Sequence, residues 1–223
     1  MAEVPTIRLA TREDVGEILS MIKELAEFEH ALDKVEATES SLLQTLAFAP
    51  SRHRHHHEHH HDKDNSTSTN SKQDSHAHNS LTPSDAPLSG SAHNPPHQNS
   101  GYAKTLLLQD PSTAEVAGMA LFYHTYSTWQ ARPGIYLEDL FIRTAHRRKG
   151  YATMLLQELA RETERIGGGR LEWSCLKWNQ NALDFYEGEK VGARQLEEWT
   201  GLRVEREELD KLGKAGWGRY RRM

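Results

Sequence analysis

Two carboxylates inside an apolar run, followed at once by a basic turn containing glycine, are where this chain can do chemistry. In residues 134–153, GIYLEDLFIRTAHRRKGYAT, the side chains of Ile135, Tyr136, Leu137, Leu140, Phe141 and Ile142 surround Glu138 and Asp139. Nearly continuous hydrophobicity suits a strand covered on both faces, and two acids there call for a reason. Arg147, Arg148, Lys149 and Gly150 come next, and then Tyr151, Ala152, Leu155, Leu156, Leu159 and Ala160 recur at helical spacing. Free amide N–H groups at the start of that helix, with the helix dipole and the local positive charge, would hold a diphosphate. The pattern R-x-x-G-x-[GA] is common by itself; an acidic strand before it and an amphipathic helix after it are independent requirements that give it weight.

The elements that must position this stretch can be read in order. Residues 6–10 alternate as a short strand, and Thr11 with Asp14 makes a box-like start for a helix carrying Val15, Ile18, Leu19, Ile22, Leu25 and Ala26, ending near Phe28-Glu29-His30. A second helix begins at Thr38 with Leu42, Leu43 and Leu46 on one face. KTLLLQD and EVAGMALFYHTY read as an antiparallel hairpin around Pro111-Ser112-Thr113, and residues 127–133 as a connection into the acidic strand. The helix after the turn should stop at Gly167-Gly168-Gly169, and residues 170–178 should form a further strand. Asn179 then caps a helix on which Ala182, Phe185 and Tyr186 share a face. VGARQLEEWTGLRVE reads as a bend and a last strand, and a polar helix with Leu209 and Leu212 leads into GKAGWGRYRRM, which reads as frayed. The order β-α-α-(insertion)-β-β-β-α-β-α-β predicts an α/β sandwich around a mixed sheet.

Composition sets the boundaries. Of 223 residues 36% are hydrophobic, low for a globular chain, and residues 50–100 account for much of the deficit, with 11 of the 14 histidines and almost no large apolar side chain. Such a segment buries too little surface to offset ordering entropy and is expected to be a His/Ser/Pro-rich disordered insertion. Its histidines could take a transition metal or change charge near pH ~6, although a tolerated loop expansion explains them more simply. Residues 1–49 and 101–223, about 170 in all, are then enough for a single domain with one core. A formal charge of −5 gives no support for nucleic-acid or anionic-membrane binding and is compatible with a cationic substrate. The lone cysteine, Cys175 in LEWSCLKW, excludes an internal disulfide and reads as a buried strand thiol. No signal-peptide pattern opens the chain and no run approaches a membrane span, so a soluble, cytoplasmic protein is expected.

The stretch IYLEDLFI with RRKGYA resembles the acetyl-CoA binding motif of the GNAT superfamily of N-acetyltransferases. Together with the upstream YSTW, the front segment IRLATREDVGEILSMIKELAEFE and the later WNQNALDFY, it is similar to the diamine and thialysine acetyltransferase branch. The resemblance spans nearly all of the chain outside the insertion and implies a GNAT fold, with a mixed central sheet flanked by helices, acting on acetyl-CoA as co-substrate. It implies that the backbone of Leu140, Phe141 and Ile142 pairs with the pantetheine arm, and that Arg147, Arg148, Lys149, Gly150, Tyr151, Ala152 and Thr153 hold the diphosphate. Asn179 and Asn181 are further cofactor contacts, and Tyr186, two turns beyond Asn179, is the general acid. Glu138 becomes the base or a substrate contact, since an alkylamine of pKa near ~10.4 must lose a proton before it attacks. Phe28, Glu29, Ser127, Trp129, Asp139, Glu172, Trp173 and Ser174 complete the implied amine site. A homodimer is implied as well.

Two departures qualify the resemblance. Polyamine-specific members carry an aspartate where this chain has Ser127, which favours a lysine-like or other small primary amine over spermidine or spermine. FYEGEKVGA is two residues longer than the usual spacing, which leaves the basic cofactor contact open, with Lys190 a candidate. The expected activity is therefore direct acetyl transfer from acetyl-CoA to a small primary amine, thialysine- or lysine-like or a di- or polyamine, with no metal and no covalent enzyme intermediate. Two alternatives stand beside it: a protein or peptide N-acetyltransferase of the same fold, and a non-catalytic acyl-CoA-binding or metal-binding protein.

Overall fold

The core is made by strands whose alternate residues serve two different helix layers. A computed structural model describes residues 4–51 and 101–214; the histidine tract at 52–100 and most of the final GKAGWGRYRRM lie outside the described residues. Contacts divide the chain into a unit running to Ser174 and a second from Cys175 onward.

In the first unit, β1 (Thr6–Leu9), β3 (Ala103–Gln109), β4 (Val116–Ser127), β5 (Arg132–Ile142) and β6 (Leu171–Trp173) lie side by side in that order, and a two-residue strand β2 (Leu46–Ala47) adds to β3. Along that row pairing is antiparallel from β1 to β5 and parallel between β5 and β6, and β2 joins β3 in parallel. This is the expected α/β architecture, with a mixed, mostly antiparallel sheet flanked by helices. Leu107, Met119, Leu121 and Phe141 pack against Val15, Ile18, Leu19 and Met21 of α1 (Val15–Phe28) and Leu42 of α2 (Glu39–Thr45). The intervening residues Leu106, Leu108, Ala120, Phe122, Ile135 and Leu137 are buried on the other face, where α3 (Tyr151–Arg165) inserts Leu155 and Leu159. Alternation of period 2 on the strands and 3.6 on the helices therefore produces a three-layer packing.

Local signals worked as physics requires. Thr11 and Asp14 form a reciprocal capping box, here opening a 3-10 turn, Arg12–Asp14, that runs into α1. Asp14 also takes both guanidinium nitrogens of Arg8, at 2.6 and 2.7 Å, which with the Thr11 amide and hydroxyl bonds holds its carboxyl at about 2. Thr38 caps α2 by accepting from Ser41 N–H at 3.1 Å.

Several expectations need correction. The strand expected over 170–178 is confined to Leu171–Trp173, because β5 offers pairing only at Ile135, Tyr136 and Leu137. Cys175 is consequently not a strand thiol; it lies beyond β6 and is half-buried. The connection expected at 127–133 is shorter: residues 128–131 turn between β4 and β5, and Ser127, Arg132 and Pro133 belong to the strands. No last strand forms among the described residues of VGARQLEEWTGLRVE. In the second unit, α4 (Gln180–Glu187) is followed by irregular chain and then by α5 (Arg206–Lys214), which carries Leu209 and Leu212 exposed.

Candidate active site

The acidic strand owes its chemistry to a β-bulge. On β4, Leu121 and Phe122 are consecutive, yet they pair with Asp139 and Leu137 on β5, so Glu138 is the extra residue. A bulge shifts the side-chain alternation by one. Ile135 and Leu137 point to the α3 layer, whereas Asp139 and Phe141 turn to the α1 layer, where Phe141 joins that core. Of the two acids in the strand read as covered on both faces, the bulge leaves Glu138 exposed, and the burial falls on Asp139.

Asp139 is pushed up to about 6, first by burial and then by the charges of Glu138 and Glu29. Glu29, which ends α1, is itself half-buried and shifted upward by desolvation. Two carboxylates, one from each of two elements, thus add their charge to the burial of Asp139, and no basic residue offsets them. Among the described residues no group of acids, histidines and cysteine is arranged to hold a metal. What such a cluster does suit is a mobile organic cation, which would lower the cost of ionising Asp139.

Aromatic groups stand beside the acids. Tyr123 and Tyr136, cross-strand partners on the same face as Asp139, stack with ring centroids 5.2 Å apart. Burial and the charge of Glu138 raise the pKa of Tyr123. The hydroxyls of Tyr136 and Ser174 share a hydrogen bond of 2.6 Å, which fixes the exit of the chain from β6. Glu172 and Trp173 pair with Tyr136 and Leu137 along β6, and Glu172 is held by Arg170 at 2.7 Å. Phe28, at the end of α1, lies under the guanidinium of Arg147 at 5.7 Å. Ser127 and Trp129 are elsewhere in the unit: they sit at the β4–β5 turn, five residues or ~17 Å along β4 from the bulge. Ser127 is buried and accepts from Gln130 N–H at 3.3 Å, while Trp129 is 90% exposed.

The basic turn has the features of an anion cradle. Arg148 (φ 63) and Gly150 (φ 81) both adopt left-handed backbone, two such positions separated by one residue. For Arg148 this conformation is strained, and strain of this kind persists where surrounding contacts over-determine it. A Cβ built on Gly150 would meet nothing within 4 Å, so the space over the helix start is open. The ladder of α3 begins with Met154 N–H donating to Gly150 at 3.1 Å, and the N–H groups of Tyr151, Ala152 and Thr153 precede it, pointing out of the helix end. Beside the turn, β5 continues to Ile142 although β6 pairs only as far as Leu137, so among the described residues the edge at Leu140, Phe141 and Ile142 has no strand partner on that side. An extended amide-bearing arm fits such an edge. The residues present therefore fit a diphosphate carrying a pantetheine arm.

The basic side chains of the turn have separate surroundings. Arg147 Nε donates to the Ile142 carbonyl at 3.0 Å, and its guanidinium lies over Phe28 and Phe141. Lys149 Nζ donates to Asp110 at 2.7 Å. Arg148 is exposed and points to solvent. Asp110 was not singled out by sequence reasoning. A local signal existed in Asp-Pro-Ser, whose side chain forms an Asx turn with Ser112, but its partners on the turn are dozens of residues away.

In the second unit, Asn179 caps α4 by accepting from Ala182 N–H at 3.2 Å, and Asn181 is exposed on its first turn. Tyr186 is half-buried beside Phe185, with centroids 5.2 Å apart, and burial followed by the charge of Cys175 pushes its phenol up to about 12. It keeps its proton throughout the neutral range.

A model of the acetyltransferase (GNAT) family matches residues 108–192, from β3 through the end of α4. The L-ornithine N5-acetyltransferase of Arabidopsis thaliana is 31% identical over 220 residues, spanning 93% of this chain and 87% of that protein. The thialysine N-epsilon-acetyltransferase of Sus scrofa is 27% identical over 92% of this chain and 95% of its own length. Among solved structures, an integron cassette protein from the mobile metagenome of V. cholerae has a TM-score of 0.59 at 20% identity, covering 94% of this chain and 98% of that one, a likeness of fold.

Proposed function

This chain belongs to the GNAT acetyltransferase family, in its diamine and thialysine acetyltransferase branch, and is an N-acetyltransferase; from that premise we propose that it moves the acetyl group of acetyl-CoA directly onto a small primary amine of the thialysine, lysine or ornithine type. The observation that carries the choice of substrate is the cluster of Glu29, Glu138 and Asp139, in which burial and like charge hold Asp139 at about 6. An alkylammonium is the ligand that relieves this arrangement. The stacked Tyr123 and Tyr136 offer its methylenes an apolar wall and its charge a π face.

Acetyl-CoA supplies the acyl group as a thioester, and the chain's own residues do the rest. Asp139 holds the ammonium, and the exposed Glu138 takes its proton, directly or through water, leaving a neutral nucleophile. Tyr186 donates a hydrogen bond to the departing sulfur. A thiolate of pKa near ~8.5 is a weaker base than tyrosinate, so the phenol surrenders its proton only as the new amide nitrogen loses one, and the net release is a single proton. The turn at residues 147–153 holds the diphosphate through backbone amides and Arg148, and the β5 edge at Leu140, Phe141 and Ile142 holds the pantetheine arm. Asn179 and Asn181 are further cofactor contacts. Phe28, Glu172, Trp173 and Ser174 border the amine site, whereas Ser127 and Trp129, at the β4–β5 turn, stand away from the acids and serve only the far end of a longer substrate.

The protein acts in the cytoplasm, where a single thiol stays reduced, and as a homodimer; the insertion at 50–100 is dispensable for turnover. A thiol-release assay with acetyl-CoA against thialysine, lysine, ornithine, putrescine, spermidine and a lysine-containing peptide tests the reading. Release with the amino-acid amines above the polyamines and the peptide is expected. Turnover of the peptide alone would replace the small-amine site by a protein-modifying one.

A further inference from the structure

The acetyl-CoA reading assigns the diphosphate to the turn at residues 147–153, but that turn does not hold its own shape. Its two left-handed positions, Arg148 and Gly150, flank Lys149. Lys149 Nζ and Tyr151 Oη both donate to a single atom, Asp110 Oδ2, at 2.7 and 2.8 Å, and His146 Nδ1 lies 3.1 Å from the same oxygen. The other oxygen, Oδ1, is taken by Ser112, through its amide at 2.9 Å and its hydroxyl at 2.5 Å. One carboxylate, 1% exposed, thus ties the β3–β4 hairpin to three side chains of the turn.

We propose that Asp110 is the positioning residue of the diphosphate cradle, with Lys149 acting as its anchor rather than as a phosphate ligand. This rests on the reading that the turn binds the diphosphate of acetyl-CoA. The backbone explains the need. Arg148 is not a residue type that favours left-handed backbone, and a distant, buried acceptor for the neighbouring Lys149 supplies the missing constraint. The Oδ1 bonds orient the carboxylate, so that Oδ2 presents a fixed point on which the turn is hung. The Lys149 ammonium, followed by the Ser112 and Tyr151 bonds, holds Asp110 far below the usual carboxylate range, so the anchor stays charged across any working pH. The charge arithmetic agrees: an aspartate beside a diphosphate would repel it, and Lys149 cancels that charge while leaving Arg148 and the backbone amides to face the ligand.

The test compares acetyl-CoA with acetyl-pantetheine, which carries the thioester arm without the diphosphate. The measured quantity is the ratio of their kcat/KM values in the wild type, in Asp110→Asn and in Lys149→Met. Wild type should prefer acetyl-CoA strongly, and both variants should shrink the preference about tenfold, as a loss of preorganisation does. Lys149→Met leaves Ser112, Tyr151 and His146 on Asp110, so it carries the test if Asp110→Asn does not fold. A preference that is unchanged, or that rises in Asp110→Asn because Lys149 is released toward the phosphates, would overturn the assignment. Absence of any preference in the wild type would remove the cradle reading itself, and this proposal with it.

Discussion

Two buried or half-buried aspartates in the same sheet have been driven in opposite directions. Asp110 is surrounded by Lys149, Tyr151, His146 and Ser112 and is held far below an ordinary carboxyl. Asp139 is surrounded by carboxylates and pushed up to about 6. Burial raises the pKa in both cases; what differs is whether the protein itself brings the opposite charge. Where it does, the aspartate is scaffold, and its neighbours gain a fixed geometry. Where it does not, the site is left incomplete, and the completing cation has to come from outside. On the proposed function, the contrast separates the part of the molecule that would hold the cofactor from the part that would select the amine.

The contrast can be broken most sharply at the turn. Gly150→Asp forces a side chain into left-handed backbone, at a cost of about 1–2 kcal/mol, and sets a negative charge where the diphosphate belongs. The KM for acetyl-CoA should rise about a hundredfold with the amine KM unmoved, and an unaltered value would argue against the cradle. Tyr186→Phe probes neither region but the chemical step. It should lower kcat about tenfold or more, while acetyl-CoA affinity measured by calorimetry stays within about twofold. Wild-type turnover would remove the acid role.

Stability gives the comparison a sign. The folded-state pKa of Asp139 is raised, so its cost to the fold is absent below the ordinary carboxylate pKa of about 4, grows as pH rises from there to about 6, and is fully present above it. Asp139→Asn should therefore raise Tm by a few degrees at pH ~7.5 and leave it nearly unchanged at pH ~4. Asp110→Asn should lower Tm at both, since its partners are left unmatched. Equal signs at pH 7.5 would erase the distinction. The smallest effect is expected from Cys175→Ser: the thiol is half-buried beyond β6, and turnover should change by less than about twofold.

Much of this was legible in the amino-acid sequence because it is local. The acidic interruption of an apolar strand, the basic turn with Gly150 and the amphipathic pattern of α3 each lie within one element. The bulge at Glu138 is not local: an extra residue on β5 is defined only against Leu121 and Phe122 of β4, and a run read as covered on both faces could not say which of the two acids is buried. Asp110 escaped for the same reason, since Asp-Pro-Ser announces a turn but not the Lys149 and Tyr151 that hang on it. The strand expected near Leu202 and Val204 rested on composition. A strand needs a neighbour for its N–H and C=O groups, and among the described residues none pairs with it.

The central proposal, that Asp139 finds no cation among the described residues because the substrate provides one, is tested most directly by titrating thialysine or ornithine into the complex with CoA at pH ~5 to ~8. The amine stays cationic throughout this range, so any change in Kd reports the protein. Kd should fall about fivefold or more as pH rises through 6, and in Asp139→Asn that dependence should flatten. An affinity that does not change across this range in the wild type, or that changes equally in the variant, would contradict the account.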